Sequence, residues 1–241
     1  MTGSKSGSVV AAANSGNMGG VPAPGGTATP APGGVPGAAI AFPPNAPLLF
    51  VLSGPSGVGK DSVVDQIRKT TSGLRVAVTC TTRRPRSDEI DGTHYHFRTE
   101  PEFEAMIAAD ELLEWARVYD RYYGVPKFEL RNAALDCQDV VLKVDVRGAA
   151  TVRRVIPQAV LIFLAPPSYQ ELIDRLAARR TEDATGLALR SETAHQEMET
   201  MRQFDYAVVN REGALDDSVR QIEAIFSAER CRVHPRVFTV V

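Results

Sequence analysis

Short apolar runs alternate with segments of helical periodicity along this chain from about residue 47 onward. The runs at residues 48–52, 75–79, 140–144, 160–165 and 206–209 are predicted β-strands. Between them, apolar residues recur three or four positions apart, which predicts amphipathic helices. This alternation is typical of a three-layer α/β domain, in which a parallel sheet carries helices on both faces.

The same pattern predicts where individual helices begin. One helix is expected directly after residue 59 and another near Gly148. Ser168 and Glu171 have the spacing of a capping box, in which two side chains satisfy amide groups at a helix start. The last amphipathic helix is predicted over residues 215–226.

The segment from about residue 83 to 126 interrupts this alternation and is rich in Arg, Tyr, His and Gly. A helix is expected to start at Thr99, and a strand is predicted over residues 112–118. We expect a small inserted α+β lobe near the carboxyl edge of the sheet, where α/β proteins bind their ligands.

The first strand runs directly into a glycine-rich turn. Residues 54–60 read GPSGVGK, which matches the G-x-x-x-x-G-K phosphate loop in the strand–turn–helix context that the motif requires. Its main-chain N–H groups can point into one concavity, and the helix N-terminus adds partial positive charge. The sequence therefore predicts an ATP site at Gly54, Pro55, Ser56, Gly57, Val58, Gly59, Lys60 and Asp61.

The residue after the lysine departs from this motif. A Ser or Thr is expected there, because its hydroxyl binds Mg²⁺, but this chain carries Asp61. The carboxylate of Asp61 can ligate or orient the metal. An acid is also favoured at a helix start by the helix dipole, and the two interpretations are compatible.

Composition narrows the possible classes of protein. With 241 residues, 44% hydrophobic and 23% charged, the chain has the length and make-up of one globular α/β domain with insertions. A net charge of −2 gives no general attraction to nucleic acid or to an acidic membrane. The three cysteines lack metal-type spacing, which favours a reduced cytoplasmic protein.

The two ends of the chain are expected to be tails. Residues 1–45 consist mostly of Gly, Ala, Pro and Ser, with Lys5 as the one charged side chain. Such a segment cannot bury enough apolar surface to order itself, so a disordered tail is predicted. An over-extended start, with Met18 as the initiator, is the alternative. Residues 233–241 are expected to form a short C-terminal tail.

A second informative stretch, TCTTRRPRSDEIDGTHY at residues 79–95, is followed by LEWA at 113–116 and YYG at 122–124. These separated motifs, in this order, closely resemble guanylate kinases over residues 47 to about 230. The resemblance implies a P-loop fold that phosphorylates GMP, and dGMP, with ATP and Mg²⁺ by direct in-line transfer. It implies a core at 46–82 and 126–232, an acceptor lobe at 83–125 and a lid at about 179–192.

The resemblance also implies an acceptor site. Arginine binds phosphate oxygens bidentately, and a carboxylate matches the two N–H donors of guanine, so that adenine would leave it unpaired. Sites built on such bonds can reject a mismatched base by on the order of 10⁴ or more. The implied GMP residues are Arg83, Arg86, Tyr95 and Tyr123 at the phosphate, Glu114, Thr79 and Asp145 at the base, and Glu89 in the basic loop.

Charge neutralisation during transfer is assigned by the same resemblance to basic side chains near the lid. No general base is required, because the attacking phosphate oxygen of GMP is already anionic near neutral pH. The implied catalytic residues are Lys60, Arg83, Arg175, Arg179 and Arg190, and Asn210 is expected near the adenine. Two further positions depart from the family: Val125 stands in place of Ser or Thr, and Lys143 in place of an acid.

Two other functions fit part of the sequence. A ribose-bisphosphate kinase would share Asp61 and Val125, but would not need the complete basic stretch or Glu114. A non-catalytic guanylate-kinase-like binding module would be expected to lose the phosphate loop, which this chain keeps. His94 and His96 are interpreted as structural residues rather than metal ligands, Trp115 as a core residue, and the protein as a monomer or homodimer.

Overall fold

The structure is a computed structural model that describes residues 46–118, 120–178 and 184–238, with the backbone alone described at 184–191. The predicted tail at 1–45 lies outside these ranges, as do 179–183 in the predicted lid. Within the described ranges, no helix combines the length and the apolar composition needed to cross a membrane.

Strands and helices alternate as the sequence predicts. The strands are β1 (Leu49–Ser53), β2 (Leu74–Val76), β3 (Cys80–Thr81), β4 (His96–Phe97), β5 (Leu112–Val118), β6 (Arg121–Pro126), β7 (Asp139–Lys143), β8 (Val160–Ala165) and β9 (Tyr206–Val209). The helices are α1 (Lys60–Thr70), α2 (Glu100–Ala108), α3 (Lys127–Leu135), α4 (Val146–Val155), α5 (Tyr169–Ala178), α6 (Ala184–Glu199) and α7 (Leu215–Arg230).

Five parallel strands form the central sheet in the order β2-β7-β1-β8-β9. Strand β1 lies in the middle, where Phe50 is in register with Val141 of β7 and Val160 of β8. All five residues of β1 are buried, as expected for an apolar strand with neighbours on both sides. The predicted α/β class is confirmed, and strands β8 and β9 have the predicted bounds.

Side chains alternate across β1 and contribute to one core on each face of the sheet. Phe50 packs in a cluster with residues of α1, α5 and α7, and its ring centroid lies 4.3 Å from that of Phe226. Val51 contributes to a second cluster with Leu130 of α3 and Val152 of α4. Helices therefore cover both faces of the sheet.

The second predicted strand is shorter than expected. The sequence predicts a strand over residues 75–79, but β2 ends at Val76. Ala77 still donates to the carbonyl oxygen of Val141 at 3.0 Å, and Cys80 then pairs in a different sheet. The extended run therefore crosses from one sheet to another, which the hydrophobic pattern alone does not reveal.

A second, smaller sheet forms the inserted lobe in the order β4-β3-β6-β5. Thr99 and Glu102 form a capping box that opens α2, and Phe103 of this helix packs against Cys80 of β3. Because β3 belongs to this sheet, the lobe includes Cys80 and begins slightly upstream of residue 83.

The prediction that Trp115 is a core residue is wrong. Trp115 is 47% exposed, and its ring centroid lies 5.9 Å from that of Tyr122 in an edge-to-face arrangement. Residues alternate between the two faces of a strand, and the neighbouring Glu114 is the buried one. Glu114 therefore lies on the buried face of β5, and Trp115 lies on the exposed face.

The described part of the C-terminal segment is attached to the domain. Arg236 forms ion pairs with Asp205 at 3.1 Å and Glu229 at 3.4 Å. Phe238 is 6% exposed and packs in the core cluster that contains Leu161 of β8. These contacts extend the folded domain beyond residue 232.

Candidate active site

The phosphate loop connects β1 to α1 and depends on its glycines. Gly54, Gly57 and Gly59 have φ angles of 142°, 86° and 97°, a region that favours glycine. A Cβ atom at Gly54 would lie 2.2 Å from the carbonyl oxygen of Leu164 in β8. The close approach of the loop to β8 therefore requires glycine at this position.

Lys60 opens α1 and folds back over the loop. Its Nζ donates to the carbonyl oxygens of Gly54 at 2.7 Å and Pro55 at 3.0 Å. Burial lowers the pKa of the Lys60 ammonium, whereas the nearby carboxylates of Glu197 and Asp61 act in the opposite direction. The ammonium is thus held at the loop, where a phosphate would be expected to bind.

Asn210 supports the loop from inside the protein. Its Nδ2 donates to the carbonyl oxygen of Val58 at 2.8 Å, and its Oδ1 accepts from Ser218 Oγ at 3.1 Å. The main-chain oxygen of Asn210 accepts from Arg175 Nη2 at 3.0 Å, and Arg175 also pairs with Glu171. Asn210 therefore helps to position the loop, and Arg175 contacts Asn210. A contact between Asn210 and adenine stays a prediction.

Glu197 of α6 contacts the phosphate loop and was not identified from the sequence. Its Oε2 accepts from the main-chain N–H of Ser56 at 3.0 Å. Burial raises the pKa of this carboxyl group, and Lys60 acts in the opposite direction. A carboxylate oxygen thus lies at one of the amides expected to bind phosphate.

A cleft of about 600 Å³ lies between the phosphate loop and the lobe. Its lining also includes side chains that the sequence analysis did not assign to the site, among them Lys143, Arg147 and Glu197. The predicted site residues that line it are Ser56, Lys60, Asp61, Thr79, Tyr95, Glu114, Tyr123 and Asp145. One cavity therefore brings together both groups of predicted residues.

The acidic wall of the cleft is formed by Glu114 of β5. The side chain is almost fully buried, and a Cβ atom at Gly148 would lie 3.1 Å from its Oε2. Burial, with a smaller contribution from the charge of Asp145, raises the pKa of Glu114 to about 8. Asp145 caps α4 by accepting from the N–H of Gly148 at 2.7 Å.

The basic loop of the lobe is organised by Glu89. Its Oε1 accepts from Arg83 Nη2 at 2.7 Å, and its Oε2 accepts from the main-chain N–H of Arg86 at 2.8 Å. These bonds raise the pKa of Arg83 and lower that of Glu89. The guanidinium of Arg83 lies 5.4 Å from the ring centroid of Tyr95, so it adjoins a residue that lines the cleft.

Three predicted GMP residues, Arg83, Arg86 and Glu89, do not line the cleft. The side chain of Arg86 is exposed and does not line the cleft. Val125 is fully buried in the core cluster that contains Leu113, so its side chain does not reach the cleft either. The position that carries a Ser or Thr hydroxyl in the family is therefore occupied by an apolar core side chain in this protein.

Asp61 and Lys143, the two charged departures from the family pattern, contact each other. Lys143 Nζ donates to Asp61 Oδ1 at 2.5 Å. Lys143 ends β7 and Asp61 lies in the first turn of α1, so the pair joins adjacent elements at the carboxyl edge of the sheet. The side chain of Asp61 is 71% exposed and that of Lys143 is 21% exposed.

The carboxylate predicted to hold or orient a divalent metal, that of Asp61, lies in the first turn of α1, directly after the phosphate loop. Within the described ranges, no group of three or more His, Cys, Asp or Glu residues could hold a metal ion. In nucleotide sites, Mg²⁺ is held by one or two carboxylates together with phosphate oxygens and water. Asp61 would therefore hold a metal that arrives with ATP, and phosphate oxygens and water would supply the other ligands.

The predicted lid is described only in part. Helix α5 ends at Ala178 and α6 begins at Ala184. Arg179 lies outside the described residues, and the side chain of Arg190 is likewise not described.

His94 Nδ1 accepts from the N–H of Ile90 at 2.9 Å, and His96 Nε2 lies 2.9 Å from Glu129 Oε1.

Comparisons with known proteins agree with this geometry. The guanylate kinase family model matches residues 47–229. Guanylate kinase 2, chloroplastic/mitochondrial, of Oryza sativa subsp. japonica is 44% identical over 199 residues, covering 82% of this chain and 70% of that protein. The guanylate kinase of Desulfitobacterium hafniense is 42% identical over 196 residues, covering 80% and 97%.

A solved structure gives the same result for the fold. The crystal structure of guanylate kinase from Anaplasma phagocytophilum matches with a TM-score of 0.64 and 27% identity, covering 78% of this chain and 88% of that one. The resemblance seen in the separated motifs is thus confirmed over most of the described domain. This chain belongs to the guanylate kinase family.

Proposed function

We propose that this protein transfers the γ-phosphoryl group of ATP to GMP, and to dGMP, giving ADP and the nucleoside diphosphate. The observation that carries the proposal is the cleft itself. Lys60 and the phosphate loop lie at one part of its wall, and the buried carboxyl of Glu114 lies at another. A phosphate donor and a guanine base can therefore be bound in one cavity.

The donor side is built for triphosphate. The loop amides and the N-terminus of α1 attract the phosphates, and Lys60 brings a positive charge to the outer oxygens. We propose Mg²⁺ as the accompanying metal, with Asp61 as the residue that would hold or orient it. When bound, the metal neutralises charge on the phosphates.

The acceptor side selects guanine and presents its phosphate. The carboxylate of Glu114 accepts from N1–H and N2–H of the base, and Thr79, at the same cleft, is assigned to O6. Tyr95, Tyr123 and Arg83 hold the phosphate. Arg83 is already oriented by Glu89, so little ordering is needed when GMP binds.

Transfer follows from this placement. An anionic oxygen of the GMP phosphate attacks the γ-phosphorus, the bond from that phosphorus to the β,γ-bridging oxygen breaks, and ADP leaves with that oxygen. Lys60 and Arg83 stabilise the charge on the migrating group, and no side chain has to accept a proton. Arg175, Arg179 and Arg190 are proposed to contribute as the lid closes, and a cytoplasmic monomer or homodimer stays a prediction.

A coupled assay of ADP formation with ATP and a panel of acceptors tests the proposal. GMP and dGMP should be turned over, whereas AMP and ribose 1,5-bisphosphate should not. Lys60→Ala should lower kcat by at least about 100-fold, because the loop loses its cation. Turnover with the sugar bisphosphate alone would replace guanylate kinase activity by ribose-bisphosphate kinase activity.

A further inference from the structure

Lys143 reaches both sides of the cleft. From the end of β7, its ammonium donates to Asp61 Oδ1 at 2.5 Å, next to the phosphate loop. It also lies 5.2 Å from the centroid of the Tyr95 ring. The ammonium therefore lies between α1 of the core and the lobe residue assigned to the acceptor phosphate.

The pairing with Asp61 does not by itself explain a lysine at this place. Asp61 is mostly exposed, and an ion pair with an exposed partner contributes little to stability. Lys143 is the more buried of the two and lines the same cleft as Lys60. Two ammonium groups facing one cavity favour an anion between them.

We propose that Lys143 is a further substrate-binding residue, which Asp61 positions so that its ammonium contacts the phosphate of GMP. An ammonium carries three N–H donors. Asp61 accepts from one of them, Tyr95 lies beside the ammonium, and a further N–H is assigned to a GMP phosphate oxygen. The proposal rests on the proposed function, because it takes GMP as the acceptor.

The acceptor phosphate is favoured over the donor phosphates because of Tyr95. This phenol stands with Tyr123 and Arg83 in one group, with ring centroids of the two tyrosines 6.3 Å apart and the Arg83 guanidinium 5.4 Å from Tyr95. A cation beside Tyr95 therefore adjoins the other groups assigned to the GMP phosphate. Lys143 would add a positive charge on the side that faces the phosphate loop.

A simpler role for Lys143 would be to neutralise Asp61, and a double-mutant cycle separates the two roles. If Lys143 only neutralises Asp61, Lys143→Met should impair GMP binding and Asp61→Asn in the same chain should restore it. If Lys143 binds phosphate, the double variant should stay impaired. Asp61→Asn alone should weaken GMP binding by less than Lys143→Met does, because it loosens the position of the ammonium but keeps its charge.

The test is equilibrium binding of GMP and of guanosine to the full chain, measured by calorimetry without ATP or metal. Lys143→Met should weaken GMP binding roughly 10- to 100-fold, as expected for a charge-assisted hydrogen bond, and leave guanosine binding unchanged. Lys143→Arg, which keeps the charge, should bind GMP within about fivefold of the wild type. Thermal unfolding of each variant checks that it folds.

Lys127→Met is the matched control. Lys127 Nζ pairs with an exposed carboxylate, Asp110, at 2.7 Å, and neither residue lines the cleft. Its removal should leave GMP binding unchanged. Restored GMP binding in the double variant, or equal weakening of GMP and guanosine in Lys143→Met, would overturn the proposal. A wild-type protein that binds no GMP would instead overturn the proposed function.

Discussion

Glu89 and Arg83 are joined by a hydrogen bond of 2.7 Å between Oε1 and Nη2, and the other oxygen of Glu89 accepts from the main chain of Arg86. One carboxylate thus fixes both the guanidinium and the loop that carries it. Arg83 is only partly buried, so without this contact its long side chain would be free to adopt other rotamers. In the proposed site, Glu89 therefore acts on the acceptor phosphate through Arg83.

Replacing Glu89 by Gln should weaken this orientation without changing the size of the side chain. We expect KM for GMP to rise about 3- to 10-fold, since one charge-assisted bond is weakened, and KM for ATP to stay unchanged. Steady-state kinetics with each substrate varied measure both values. Glu100→Gln, in an exposed lobe pair with Arg121, is the control and should change neither.

The pKa of Glu114, about 8, predicts that GMP binding is coupled to proton release. At pH 7 the empty site is largely protonated, whereas guanine requires the carboxylate as acceptor. We therefore expect binding to release a proton at pH 7, and GMP affinity to increase as the pH rises toward 8. Calorimetry in buffers of different ionisation enthalpy measures the proton directly, and a binding enthalpy independent of buffer would refute the coupling.

The same carboxyl group predicts how stability depends on pH. Because its pKa is raised from 4.5 to about 8, the native state keeps a proton that the unfolded chain loses. Glu114 therefore makes the free energy of unfolding decrease as the pH rises between these two values. Glu114→Gln should remove this part of the slope, which urea unfolding at several pH values can measure.

Glu197 is expected to compete with ATP for the phosphate loop. Its carboxylate accepts from the amide of Ser56, so a negative charge lies where phosphate oxygens are expected. Glu197→Gln keeps the shape and removes the charge, which should tighten binding of a non-hydrolysable ATP analogue roughly 3- to 10-fold. Glu199→Gln, an exposed position on the same helix, should have no effect, and weaker binding by Glu197→Gln would reverse the interpretation.

Phe238 is expected to stabilise the domain although it lies close to the end of the chain. Its side chain is 6% exposed, and its removal would leave a cavity beside Leu161. Phe238→Ala should lower the free energy of unfolding by about 3 kcal/mol. Val237→Ala, at a side chain 42% exposed, should cost less than about 0.5 kcal/mol, and equal effects would contradict the packing.

Local features of this fold could be predicted and distant contacts could not. The glycines of the phosphate loop and the apolar run of β8 are encoded by adjacent residues, so their pattern is visible in the sequence. Ser56 and Glu197 are 141 positions apart, and no periodicity links them. Glu197 was missed for this reason.

The contact between Asp61 and Lys143 could not be predicted for a similar reason. Asp61 and Lys143 each departed from the family pattern, but they are 82 positions apart and only the parallel pairing of β1 with β7 brings them together. Trp115 was wrongly predicted to be a core residue, because the residue pattern of β5 does not show which face of the strand is buried. These features depend on strand register and sheet order, which composition and motif spacing do not reveal.

The most direct test of the proposed site is the ratio of kcat/KM for GMP to that for AMP, measured in the wild type and in Glu114→Gln. A buried carboxylate that pairs with the guanine donors predicts a wild-type ratio of about 10⁴ or more, and a decrease of at least about 100-fold in the variant. A wild-type enzyme that uses both nucleotides equally, or a variant with an unchanged ratio, would contradict the assignment of Glu114 as the base-selecting wall.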